Sequence, residues 1–292
     1  MSSELVRNGS IAFEGLIPRP HFPSRVGRRP TPLDRTRRRL VCRSLSAATL
    51  VAVMWATGTA HSQSYPMPVP YRGGPVLHTP MIVPLFLGNY WSTPTGAFDQ
   101  LSTTLYLIDL VDYISGVGAP ADQQPYLTQY GITSASIQNA VNVAWPDGQL
   151  SDASIQSEIW SLKSSGQLPA SPTAIVMVFP GEGITPGAGT NVGYHQGFPI
   201  YFVPAIYAVA FKGGNVSQSL LSSHEIQEAA TDPAWNFIQM GWGVDPSHEI
   251  CDDATCGVPS GQYKSFTSNG ITIIGCADNT QGGQCTSTGY IP

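Results

Sequence analysis

The chain has 292 residues, 42% of them hydrophobic and 11% charged, with a formal net charge of −5. That is enough apolar material for a sizeable core, and 30 Gly with 25 Pro imply many loops. Beyond residue 60, four basic residues (Arg72, Lys163, Lys212, Lys264) stand against sixteen acidic ones, a balance of −12; such a surface repels phosphate backbones, which excludes nucleic acid as a partner, and it suits cations.

Ten of the fourteen basic residues lie between Arg7 and Arg43. The stretch "RTRRRLVCRSLSAATLVAVMWATGTAHSQS" is basic, then apolar from Leu45 to Trp55, then rich in small residues. That is the layout of a secretory signal peptide, with cleavage expected near Ala60. The apolar run is shorter than the roughly 20 residues a membrane span needs, so no stable span is expected after cleavage. Residues 1–60 therefore read as a disordered extension plus signal peptide. Residues 61–292 read as a secreted mixed α/β domain whose cysteine-rich tail starts near Gly241. The destination is extracellular, with the periplasm or cell surface as variants of the same route.

After a Pro/Gly-rich entry, "MIVPLFLG" (Met81 to Gly88) is a continuous apolar run of strand length. The next segment reads as a helix: Ser92 or Thr93 caps it, Pro94 suits its first turn, and Phe98, Leu101, Leu105, Ile108 and Val111 or Asp112 keep helical spacing. A second helix begins at Ser151 or Asp152, turns Ile155, Ile159 and Leu162 inward, and stops at Gly166. "TAIVMVFPG" (Thr173 to Gly181) is a buried strand, and "PIYFVPAIYAVAF" (Pro199 to Phe211) is a strand or a pair. Between them, "GEGITPGAGTNVGYHQG" reads as a Gly-rich loop with no phosphate-binding pattern. The third helix is "SQSLLSSHEIQEAATDP", with Leu220, Leu221 and Ala229 as apolar surface and Pro233 at its end. "GITII" (Gly270 to Ile274) is the clearest pattern in the tail. Alternating strands and helices give a single mixed α/β domain with a disulfide-bonded C-terminal segment. Cys251, Cys256, Cys276 and Cys285 fit two disulfides in any of three connectivities; their spacing lacks the paired C-x-x-C of a four-thiolate zinc site.

The chemistry concentrates in "HEIQE". On a helix His224 and Glu228 lie one turn apart on one face, and Asp232 extends the row. The pattern is the zinc-peptidase H-E-x-x-H with its last letter changed. In that signature the outer residues hold the metal and the inner Glu takes a proton from the attacking water. His224 and Glu228 are then metal ligands and Glu225 the general base. A carboxylate in place of the second imidazole still binds zinc but favours harder cations such as manganese or calcium. Further ligands are expected from Glu249 and Asp252, which meet at one site if "SHEICDD" forms a turn. Asp232, His248, Asp253 and, upstream, His195 are further candidates.

"YRGGPVLHTPMIVPLFLGNYW" and the order "LSDASIQSEIWSLKSSGQLP" then "TAIVMVFPG" resemble the EXORDIUM / phosphate-induced protein family of plants. "HEIQEAATDP", "GW" (Gly241, Trp242) and "EICDDATC" are similar, in order, to secreted bacterial proteins carrying H-E-x-x-E-A-x-T-D-P, G-W and E-I-x-D-x-C phrases. The resemblance implies a zincin-like metallohydrolase, with His224, Glu225, Glu228, Glu249 and Asp252 on the motif positions. It points to a secreted metal-dependent hydrolase, a zincin-like peptidase with an altered site, acting on a peptide or cell-wall polymer. The competing expectation is a non-catalytic EXORDIUM-like binding protein of the cell wall.

Overall fold

In chain order the first elements are strand β1 (Met81–Leu87), helix α1 (Pro94–Ile114), β2 (Ser136–Ile137), β3 (Val141–Val143), β4 (Gly148–Leu150) and α2 (Asp152–Ser164). There follow β5 (Ala174–Pro180), β6 (Ile184–Pro186), β7 (Gly193–Ile200), β8 (Val203–Ala210) and α3 (Gln218–Thr231). The tail adds β9 (Gly243–Asp245), β10 (His248–Glu249), β11 (Tyr263–Ser268), β12 (Ile271–Ile274), β13 (Ala277–Asp278), β14 (Gln284–Cys285) and β15 (Gly289–Ile291). The computed structural model describes residues 69–292 apart from 118–125, 188–191, 201–202, 214–215, 234–239, 246–247, 253–262, 269, 279–283, 286–288 and 292. The expected signal segment, Asp253 and Cys256 lie outside the described residues, as do the side chains of His248 and Cys285.

The two most apolar runs become neighbours. β1 pairs with β5 in parallel along its whole length, from Met81↔Ala174 to Leu87↔Pro180, and β5 pairs with β8 in parallel. The strand order is β2-β1-β5-β8-β7, with β3 also on β1. Only β7, at the end of that order, runs antiparallel. A parallel sheet is covered on both faces, which is why its central strands are apolar at successive positions. Ile82, Phe86, Ile175, Met177 and Phe179 pack with Leu107, Leu110 and Ile114 of α1 and Leu220, Leu221 and Ile226 of α3. Val83, Leu85, Leu87, Val176 and Val178 pack instead with Ile155, Ile159 and Leu162 of α2. The result is three layers, α2 on one face and α1 with α3 on the other. Among the described residues no helix is long and apolar enough to cross a membrane.

Helix starts follow the chemistry of the sequence. Thr93 accepts a bond from the Gly96 N–H at 3.0 Å with Pro94 at the first turn, and Ser151 and Ser217 cap α2 and α3 in the same way. The helical spacing of Phe98, Leu101, Leu105, Ile108 and Val111 is that of α1; of these Val111 is buried and the other four are exposed, Phe98 at 68%. α1 carries a second row, Thr103, Leu107, Leu110, Val111 and Ile114, and that one is buried; periodicity alone cannot rank two apolar rows on one helix. The Gly-rich segment read as a loop contains β6 and the first half of β7, so "PIYFVPAIYAVAF" is the return of a hairpin that begins at Gly193.

The tail is fastened to α3. A disulfide joins Cys251 to Cys276, 25 residues apart. Beside it, Ser223 Oγ accepts from the Ile274 N–H at 3.1 Å and Gln227 Nε2 donates to Ile274 O at 3.1 Å, so β12 lies along one face of the helix.

Candidate metal centre

Every side chain of α3 from Leu220 to Thr231 is buried, although seven of these twelve are polar. A surface helix keeps one face in water, so each polar side needs a protein partner. Ser223 and Gln227 find theirs on β12, as above. Ile226, Ala229 and Ala230 join the core. The remaining side carries His224, Glu225 and Glu228, and their surroundings are made by β7 and the tail.

His224 Nε2 is 3.0 Å from Glu228 Oε2, the separation expected one helical turn apart, and 3.9 Å from Asp252 Oδ1. His195, on β7, points onto the same cluster. Its Nδ1 is 3.7 Å from Glu225 Oε2 and 3.9 Å from Glu228 Oε2, and its Nε2 is 3.4 Å from Glu249 Oε1. Nε2 also lies 3.2 Å from Asp232 O. A carbonyl oxygen only accepts, so the neutral ring carries its proton on Nε2 and turns the Nδ1 lone pair towards Glu225 and Glu228. A second nitrogen held by a backbone carbonyl is the usual arrangement of a metal-binding histidine.

The tail supplies its residues through a turn. Asp252 Oδ2 accepts from the Glu249 N–H at 2.8 Å, and the Cys251 N–H donates to Glu228 Oε1 at 3.2 Å. The disulfide at Cys251 thus sets Glu249 and Asp252 against α3. Asp232, at the end of α3, accepts from the Gly241 N–H through Oδ1 at 3.1 Å. All five residues predicted from the sequence, His224, Glu225, Glu228, Glu249 and Asp252, therefore lie in one cluster, joined by His195 and Asp232. Two glycines also belong to it. A Cβ on Gly193 would stand 2.6 Å from Glu225 Oε1. A Cβ on Gly241 would collide with the carbonyl oxygens of Thr231 and Pro75, because the "GW" loop runs between the end of α3 and the segment that precedes β1, where Trp242 packs on Tyr71 and Tyr130. Gly241→Ala is expected to cost about 1–3 kcal/mol, as overpacking does, read as a lower Tm in thermal melts; an unchanged Tm would contradict this packing.

Glu225, Glu228 and Asp232 are at most 4% exposed and Glu249 9%. Burial pushes the Glu228 carboxyl well above the ordinary range, and the nearby Asp252 and Glu225 push it further. Burial does the same to Glu249, with Glu228 and Asp252 adding to it. Asp232 rises to about 6, chiefly by burial. For His195 burial acts the other way, but Glu249, Glu225 and Asp232 outweigh it and push the imidazole up to about 9. In every case the folded value exceeds the unfolded one, so the metal-free folded chain binds more protons than the unfolded chain. Its stability must fall as pH rises. The His195 contribution is complete below its ordinary 6.5 and is lost through about 9. Asp232 becomes unfavourable from its ordinary 3.8 up to about 6. Glu228 and Glu249 become increasingly unfavourable above 4.5. Calorimetry in chelating buffer should show Tm declining between roughly pH 5 and 9; a Tm that rises over that window would contradict the cluster.

Two groups here have the spacing to hold a metal ion: His195, Glu228 and Glu249, and His224, Glu228 and Cys251, each with one donor atom per residue within 4.8 Å of the others. Cys251 is in the disulfide and offers no thiolate; Asp252 is the anionic donor next to His224. The residues fit a cation on a further count. Glu249 Oε1 and Asp232 Oδ2 are buried acceptors that receive no hydrogen bond among the described residues, and buried acceptors are ordinarily satisfied. No protein-family model matches the chain, and no curated protein matches it.

Proposed function

We propose that the chain is a secreted, divalent-cation-dependent hydrolase of peptides, built on a zincin-like domain whose H-E-x-x-H helix has become H-E-x-x-E. The observation that carries the reading is the convergence, in one buried cluster, of donors from a β7 strand, helix α3 and the disulfide-held turn of the tail, at the spacings of a metal centre. His195, His224, Glu228, Glu249 and Asp252 would hold the cation. Two imidazoles with several carboxylates suit zinc or manganese. α3, which carries the H-E pair, follows directly on the β7–β8 hairpin, whose outer strand brings His195 to it.

A divalent cation held by these residues would supply a Lewis acid for a scissile carbonyl and lower the pKa of a water molecule. Glu225 receives the proton through Oε2 and returns it to the leaving amine, as a paired base and acid does. Gly193 keeps space open beside that carboxylate. Cys251 and its disulfide hold the turn that carries Glu249 and Asp252. Asp252, 28% exposed, is the most open of the liganding side chains, so substrate and solvent reach the cluster from its side.

Incubating the purified chain with a peptide library and reading cleavage by mass spectrometry tests the reading. Cleavage that stops with chelator and returns with zinc or manganese is expected. A chain that binds metal yet cleaves no peptide, but binds wall polysaccharide, would favour the EXORDIUM-like binding protein instead.

A further inference from the structure

We propose that the cluster holds two divalent cations, with Glu228 as the carboxylate they share. This rests on the cation-centre reading above and deepens it. Two donor groups overlap at one oxygen. On one side His224 Nε2 stands 3.0 Å from Glu228 Oε2 and 3.9 Å from Asp252 Oδ1. On the other, His195 Nδ1 stands 3.9 Å from the same Glu228 Oε2, and Glu249 completes a group whose donors lie within 4.8 Å of one another. A cation about 2.0–2.2 Å from each ligand spaces those ligands about 3–4 Å apart. Each imidazole meets that spacing with Glu228 Oε2, and Asp252 Oδ1 lies within it of His224 Nε2. The second oxygen of Glu228 is held by the Cys251 N–H, which fixes the carboxylate with Oε2 between the two rings.

Charge points the same way. Glu225, Glu228, Asp232 and Glu249 are buried together. Among the described residues their partners are His195, His224 and the N–H groups of Cys251 and Gly241, with no lysine or arginine. Among the basic side chains that are described, Lys212 bonds to Asp99, Lys163 to Pro169 O and Arg72 to Gly243 O. Once ionised, the four buried carboxylates and Asp252 carry five negative charges: one divalent cation leaves three of them, whereas two leave a single charge, which Asp252, 28% exposed, can keep in contact with water. Histidines bound to metal stay neutral and add nothing to this count. The buried Glu249 Oε1 receives no hydrogen bond among the described residues and is the acceptor that the cation beside His195 would engage. Two-cation centres about 3.5–4 Å apart are a recurring hydrolase arrangement.

The test is stoichiometry and magnetic coupling in the full chain, stripped with chelator and reloaded with Mn²⁺. Two equivalents per chain are expected, with an electron paramagnetic resonance spectrum broadened by exchange across the shared carboxylate. The near-isosteric Glu249→Gln and Asp252→Asn are each expected to retain one equivalent with the hyperfine pattern of isolated Mn²⁺. One equivalent in the unaltered chain, or two that show no coupling, overturns the shared pair while leaving a cation-dependent hydrolase standing. No bound Mn²⁺ or Zn²⁺ overturns both. The unaltered chain decides the question alone, so a variant that fails to fold does not blunt it.

Discussion

Glu225→Gln is expected to lower peptide turnover about 100- to 10,000-fold, the usual contribution of a positioned general base, with bound metal unchanged. The two readouts separate because Glu225 belongs to the cluster without being needed to close either donor group. Its Oε2 is 3.7 Å from His195 Nδ1, and neither group with metal-holding spacing includes it. Glutamine keeps the shape beside Gly193, where the carboxylate approaches the strand backbone closely, so the fold should survive. It cannot accept a proton at working pH. Turnover in the variant equal to that of the unaltered chain would remove Glu225 from the mechanism. Loss of metal along with turnover would make it a ligand instead.

Glu228→Gln should raise the stability of the metal-free chain and cancel its stabilisation by metal. Glu228 is 2% exposed and lies among the carboxylates of Glu225, Asp252 and Asp232, which together with burial oppose its ionisation. An amide oxygen still accepts from the Cys251 N–H, so the bond that places the tail turn is kept. Replacing buried charge by a neutral group of similar volume is often stabilising by about 1–4 kcal/mol, which at about 2–4 °C per kcal/mol is a visible rise in Tm. Ligand linkage gives the opposite response in the unaltered chain: metal at a hundred times its Kd adds about 2.7 kcal/mol, and the variant should show none of it. If the metal-free variant instead loses about 3–5 kcal/mol, as when a structural ion pair is broken, the His224–Glu228 pair holds the fold together and is no metal centre.

The sequence made parts of this arrangement legible and hid others for identifiable reasons. β1 and β5 were readable because strands covered on both faces are apolar throughout. α3 was readable at both ends, with a serine at its start and Pro233 just beyond its last turn, and helical geometry alone puts His224 and Glu228 together. His195 stood out only as a candidate. "GYHQG" lacks an apolar period since β7 is the outer strand, and it reaches α3 only through the β7–β8 hairpin. The meeting of Glu249 and Asp252 with the helix depends on pairing Cys251 with Cys276, one of several pairings the spacing allows. α1 was legible as a helix but not in orientation, because its two apolar rows have equal period and the row of Phe98, Leu101, Leu105 and Ile108 lies outward.

Elemental analysis of the full chain, purified without chelator beside His224→Ala, tests the cation centre most directly. Zinc or manganese should stay with the unaltered chain through dialysis and fall sharply in the variant, since His224 Nε2 stands between Glu228 and Asp252. An unaltered chain that carries no divalent metal and takes up none on titration, or a variant that retains as much as its parent, would contradict the account.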